Sequence, residues 1–284
     1  MLTPSHISSV VRAALTEDAP YGDLTSETLI PAHAIATARL VSREPGVFSG
    51  GAVFAAAMTA TDPLIAISVL VDDGGHFDAG DVLATVVGPA RAVLQAERVG
   101  LNFTQRMSGI ATETARYVAE TAGTRARIVD TRKTTPGLRQ FERHAVRSGG
   151  GHNHRFSLSD AVMAKDNHLA ILTADGQDLT EALVGLRERL SHTTHLEVEV
   201  DRLDQIEAVI AAGVDTIMLD NFTLHELAEG VRLVGGRAIV EASGGVSLAT
   251  VGDIARTGVD IISVGALTHS VRSLDLGLDI DVSP

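Results

Sequence analysis

The sequence of 284 residues contains no cysteine. That absence excludes disulfides, thiolate catalysis and cysteine-built zinc or iron–sulfur sites. No apolar run approaches the ~18 residues of a membrane span. The first stretch, "MLTPSHISSVVRAALTEDAPYGD", has neither the basic start nor the continuous apolar core of a secretory leader. The expected compartment is the cytoplasm, with no membrane partner. Positive charge is also short: 23 Lys and Arg stand against 36 Asp and Glu, a formal net charge of −13, which argues against a nucleic-acid partner. Lysine is scarcer still, because all but Lys133 and Lys165 of those 23 basic residues are arginine. Where a surface cation suffices, this sequence uses arginine. The two lysines therefore mark places where a compact, rotatable ammonium is needed instead of a planar fork.

What is present has a rhythm in its second half. Six apolar, β-branched runs suit buried parallel strands: Arg127–Asp130, Ala161–Lys165, Leu196–Val200, Thr216–Asp220, Ala238–Ala242 and Asp260–Val264. Helix-patterned segments such as "RLDQIEAVIAAG" and "TLHELAEGVRLVGG" lie between them, with glycines just past their ends. Alternation of this kind predicts right-handed βα units on a parallel sheet. Without a G-x-G-x-x-G after the first strand, a barrel is preferred to an open doubly wound sheet. Residues 1–110 read as a separate α+β unit, with short strands between Gly, Pro and Asp turns. The alternating tail "SLDLGLDIDV" is expected to return to that sheet. The predicted division is thus 1–110 with the tail 272–284, and 111–271.

Glu199, Asp220 and Glu241 recur at intervals of 21 residues, each at or near the C-terminal end of a predicted strand. In a barrel that rim is where active sites are built. Arg132 and Lys133 follow the first βα strand in "DTRKT". His154 and Arg155 follow a glycine-rich turn, and Lys165 ends the next strand. Clustered cations are costly unless an anion compensates them, so the pattern predicts a pocket for a multiply anionic small molecule. Arg139, Arg143 and Arg147 recur at four-residue spacing and are expected to be a solvated helix face instead. "EASGGVS" and "SVGALTHS" place small residues and backbone amides after the last two strands, a pattern that suits phosphate. No spaced partners complete a histidine metal site around "HNH". Rim carboxylates beside phosphate loops suit magnesium instead.

These residues resemble the quinolinate phosphoribosyltransferases, of the type II phosphoribosyltransferase family, over nearly the whole chain. "EDAPYGDLTSETL", "ERVGLNFTQRMSGIAT", "DTRKTTPGLR" and "GGGHNHRFSLSDAVMAKDNH" carry the likeness, and "EVEV", "MLDNF", "EASGGV" and "ISVGALTHS" follow in order. His152 stands where the family leads one to expect a small or aliphatic residue. The resemblance implies an N-terminal α/β sandwich with an incomplete α/β barrel of parallel strands. It also implies a homodimer with shared active sites, whose Arg98 is donated across the interface. The implied reaction converts quinolinate and phosphoribosyl pyrophosphate, with magnesium, to nicotinate mononucleotide, pyrophosphate and CO2 in NAD biosynthesis.

By motif position, Arg132, His154, Arg155 and Lys165 would bind the quinolinate carboxylates, with Thr131 also at the substrate and Lys133 near the pyrophosphate. Glu199 and Asp220 would face the ribose hydroxyls and magnesium, and with Lys133 form the catalytic set. Ser243, Gly244 and Gly245, with Val264, Gly265 and Ala266, would hold the 5′-phosphate. Three other readings stay open at this stage. One is a related phosphoribosyltransferase-like protein associated with molybdenum transport. Another is a Schiff-base barrel enzyme using Lys165 as nucleophile. The third is a phosphate-ligand binding module without turnover.

Overall fold

A computed structural model describes residues 2–283. The chain forms two compact units. One is built from the residues up to Ala115, from Thr135–Gly150 and from Ser270 onward; the other is Arg116–Thr134 with Gly151–His269.

The first unit holds the strands β1 (Ile35–Ser42), β2 (Gly46–Val47), β3 (Ala66–Val69), β4 (His76–Phe77) and β5 (Val82–Pro89), and, late in the chain, β12 (Leu276–Ser283). Four of them make an antiparallel sheet in the order β12-β1-β5-β3, and β2 pairs with β4. In β1 the period-two pattern sends Ala36, Ala38 and Leu40 inward and Ile35, Thr37 and Arg39 outward. The inward face packs with Phe48, Phe54, Met58, Leu83 and Val86, all fully buried. Burying side chains of this size contributes roughly 1.5–3 kcal/mol each.

The helix Arg139–Ser148 buries Phe141, Ala145 and Val146, together with the carboxylate of Glu142. That acid is compensated: Arg106 Nε donates to Glu142 Oε1 at 2.9 Å, and the Thr135 amide donates to Oε2 at 3.1 Å. The arginines of this helix do not share one solvated face. Arg147 is exposed, whereas Arg139 and Arg143 are half-buried and engaged by neighbours. Four residues turn a helix by about 40° more than one full circle, so the row drifts round the cylinder from partial burial into water.

The second unit supplies the six expected parallel strands: β6 (Arg127–Val129), β7 (Ala161–Ala164), β8 (His195–Val200), β9 (Thr216–Asp220), β10 (Ile239–Ser243) and β11 (Ile261–Ser263). Their order is β6-β11-β10-β9-β8-β7, so the first strand lies beside the last. In β8 every residue after His195 is buried, as in a strand covered on both faces. The helix Leu224–Val234 shows why the connections end where they do. Thr223 and Glu226 form a reciprocal cap at its start, and Gly235, at φ 58°, closes its end.

Candidate active site

A cavity of roughly 630 Å³ opens among the C-terminal ends of these parallel strands. After β6, Thr131, Arg132 and Lys133 line it; beside and after β7 come His154, Arg155 and Lys165. Glu199 reaches it from β8, Asp220 and Asn221 from the end of β9, and Ser243, Gly244 and Gly245 from the end of β10. Both lysines of the chain are in this wall.

Local folding explains each placement. Asp130, fully buried at the end of β6, accepts from the His154 amide at 2.8 Å and from Asn153 Nδ2 at 2.5 Å. His152 bridges to Val129, so the His152–Arg155 segment runs beside β6. One buried carboxylate thus holds two loops together. On the opposite side the Lys165 ammonium pairs with Glu199. A Schiff-base lysine instead needs an apolar or cationic setting, so the aldolase-like reading loses its support.

The cations differ in what they meet. Among the described residues, neither the Arg132 guanidinium nor Lys133 Nζ has a carboxylate partner, and Arg132 Nε is buried with no acceptor. A buried donor without an acceptor is costly unless a ligand oxygen satisfies it. Arg155 is committed further, donating to the Ala161 carbonyl at 3.1 Å and to Met163 Sδ at 3.6 Å.

His154 has a different setting. Its Nε2 lies 3.2 Å from Glu197 Oε2 and 3.4 Å from Glu241 Oε2. Both glutamates are buried and point inward from alternate strands, as barrel layers are built. Burial alone would lower the histidine, but the hydrogen bonds and charges of Glu197 and Glu241 outweigh it and push its pKa up to about 10. Burial also pushes Glu241 up, against the opposing bond from His154. The Arg155 amide donates to His154 Nδ1 at 2.7 Å, which orients the ring with Nε2 towards the two glutamates.

Two sets of side chains could receive a metal ion. The ligand atoms of His154, Glu197 and Glu241 lie within 4.8 Å of one another, but they bond each other, and a buried nitrogen-containing set does not suit magnesium. Glu199 and Asp220 offer oxygen ligands at an open cavity. Asp220 Oδ2 accepts from Asn221 at 2.7 Å, and Oδ1 has no hydrogen-bond partner among the described residues. The oxygen-rich pair fits magnesium, which keeps several waters and substrate phosphates in its shell.

Four of the sequence-derived candidates do not line the cavity. Arg98, in the first unit, is exposed on the helix Ala90–Glu120. Val264, Gly265 and Ala266 lie just past β11 and back the Lys133 loop: a Cβ on Gly265 would sit 3.1 Å from Lys133 Cδ, and Thr268 Oγ1 donates to the Lys133 carbonyl at 2.7 Å. Sequence reasoning left Asn221 and Glu197 outside the site. A signal existed for Glu197, because it stands two residues before Glu199 on one strand and so shares its face. Asn221 gave no signal beyond following Asp220.

Two family models match: quinolinate phosphoribosyl transferase, N-terminal domain, over residues 23–108, and its C-terminal domain over residues 110–279. The chain belongs to the quinolinate phosphoribosyl transferase family. It is 43% identical to nicotinate-nucleotide pyrophosphorylase [carboxylating] of Mycobacterium leprae, covering 95% of each chain. It is 40% identical to the probable enzyme of that name from Bacillus subtilis, over 94% of this chain and 91% of the relative. Among solved structures, NadC from Streptococcus pyogenes superposes with a TM-score of 0.94 at 39% identity, covering 100% of this chain and 99% of that one. Membership fits the cavity described above. No described helix is long and apolar enough to cross a membrane.

Proposed function

We propose that this family member is a nicotinate-nucleotide pyrophosphorylase (carboxylating), which joins quinolinate to phosphoribosyl pyrophosphate in NAD biosynthesis. The bond from the ribosyl carbon to pyrophosphate breaks, and a bond from that carbon to the pyridine nitrogen forms. The ring nitrogen becomes cationic and stabilises the electron pair left on the ring carbon as CO2 departs. A proton then takes that pair, leaving nicotinate mononucleotide. The observation that carries this reading is the presence, in one cavity, of Arg132 and Lys133 without acidic partners, facing Glu199, Asp220 and a glycine turn.

Arg132, Arg155 and Lys165, with the ring of His154, bind the two quinolinate carboxylates, and Thr131 closes that end. Lys133 serves the pyrophosphate. Glu199 and Asp220 face the ribose hydroxyls, where their charge stabilises the cation developing at the ribosyl carbon. Ser243, Gly244 and Gly245 offer backbone amides to the 5′-phosphate, with Val264, Gly265 and Ala266 supporting the Lys133 loop beside it. Magnesium, held by Asp220 and Glu199 with substrate phosphates, would supply charge neutralisation of the departing pyrophosphate. A homodimer with shared sites completes the pocket, with Arg98 donated by the partner subunit.

The direct test incubates the full chain with quinolinate, phosphoribosyl pyrophosphate and magnesium, and follows CO2 and mononucleotide. Stoichiometric formation of both is expected, with loss of turnover in excess EDTA and recovery on adding magnesium. No product under complete conditions would overturn the reading.

A further inference from the structure

Asn221 is the one non-glycine residue among those described with a left-handed backbone, at φ 60°. Asparagine visits that region more readily than most residues, yet it remains an uncommon conformation. Here the residue is exposed, so no buried packing compensates it. Three of its polar groups are instead turned to neighbours in the cavity wall. The amide N–H donates to the Ser243 carbonyl at 2.9 Å, and Nδ2 donates to Asp220 Oδ2 at 2.7 Å. Oδ1 lies against Gly244, where a Cβ would come within 2.1 Å of it. Residues held in sparsely populated conformations at a site point to a role there.

We infer that Asn221 is a positioning residue for the phosphoribosyl half of the substrate, fixing the Asp220 carboxylate relative to the Ser243–Gly244 turn. The inference rests on the functional reading above, which gives Asp220 the ribose and the turn the 5′-phosphate. Its physical content is a division of labour on one carboxylate. The Asn221 amide occupies Oδ2, which stops the group rotating and leaves Oδ1 directed at ligand. The same side chain occupies the space over Gly244, so the turn and the carboxylate keep one spacing. Reacting groups displaced by about 1 Å lose on the order of 100-fold in rate.

The test compares Asn221→Ala, Asn221→Gly and Asn221→Asp in the full chain, after matching their thermal midpoints to the parent. Glycine keeps the left-handed backbone and removes the amide. Aspartate tolerates that backbone and replaces the donor with a like charge. Expected for Ala and Gly alike is a loss of roughly 10- to 150-fold in kcat/KM for phosphoribosyl pyrophosphate, the scale of one hydrogen bond to a charged group. Aspartate should lose more, while calorimetric affinity for quinolinate stays within about twofold for all three, since that end carries no bond to Asn221. Parent-like kinetics in Asn221→Gly would show that only the backbone matters and overturn the proposal. An equal loss of quinolinate affinity would also overturn it, by showing a general collapse of the pocket. Calorimetry with phosphoribosyl pyrophosphate alone separates the two readings. A parent chain that binds it without turnover fails the functional reading, and Asn221 is then judged on that affinity. A parent that does not bind it fails both.

Discussion

Arg132 and Lys133 are adjacent in the chain and alike in lacking an acid, and that predicts how the site fails. Arg132→Ala should raise the quinolinate KM by about 10- to 150-fold, the range for one charge-assisted hydrogen bond, in initial-rate measurements. An unchanged KM would remove Arg132 from the substrate. The His154 cluster makes a prediction about pH. Its pKa is about 10 in the folded chain against a usual 6.5, and Glu241 is raised too, so the folded state holds protons that the unfolded chain gives up. The histidine's share of this stability is present in full below pH 6.5 and is lost as pH rises towards 10, and the share of Glu241 starts to be lost above its usual 4.5. The thermal midpoint should decline across that window and decline less steeply in Glu241→Gln; equal slopes would show that the cluster does not govern it. The lysines were legible because their scarcity made each conspicuous, and both line the cavity. The bond network was not. Nothing in the letters shows that His154 Nε2 lies between Glu197 and Glu241, because that contact joins β8, β10 and a loop across the curl of a sheet.

Strands and turns carry a second level of constraint. Gly244 has φ +92° and no room for a Cβ beside Asn221, whereas Gly245, at φ +59°, has open space around it. Gly244→Ala should therefore cost about 1–3 kcal/mol of stability and disturb phosphoribosyl pyrophosphate binding. Gly245→Ala should cost about 1–2 kcal/mol, for backbone conformation alone. Urea denaturation of the pair checks the difference, and equal costs would argue against the close packing of Asn221 on Gly244. All six parallel strands were legible, since β-branched apolar runs bounded by capped helices leave little freedom. Their relative heights were not. The equal 21-residue spacing of Glu199, Asp220 and Glu241 suggests three equivalent carboxylates, but Glu199 and Glu241 both pair level with Met218, and Asp220 pairs with Ser243. Asp220 stands two residues further up, which gives it the open edge of the cavity and leaves Glu241 buried beneath.

For the molecule as a whole, the proposed shared site predicts complementation. Arg98→Ala and Lys133→Ala chains, each inactive alone, should regain partial activity when mixed and allowed to exchange subunits. Mixed dimers that form and stay inactive would place Arg98 within its own chain's chemistry or outside it. The excess of 36 acids over 23 bases gave no hint of an anion site, because a pocket's potential is set by the few charges that converge on it. The sheet of the first unit has another consequence. β12 pairs along the full length of β1, from Ile35 with Ser283 to Ser42 with Leu276, and all of the parallel strands are encoded between them. During synthesis at about 5–20 residues per second, β1 waits on the order of 10 to 50 s for this neighbour after leaving the ribosome. Until then its hydrogen-bonding edge is open to other nascent chains. Slow translation or a stall before Leu276 should favour aggregation of this protein, and a chaperone that masks sheet edges should matter more to its yield than to its final stability.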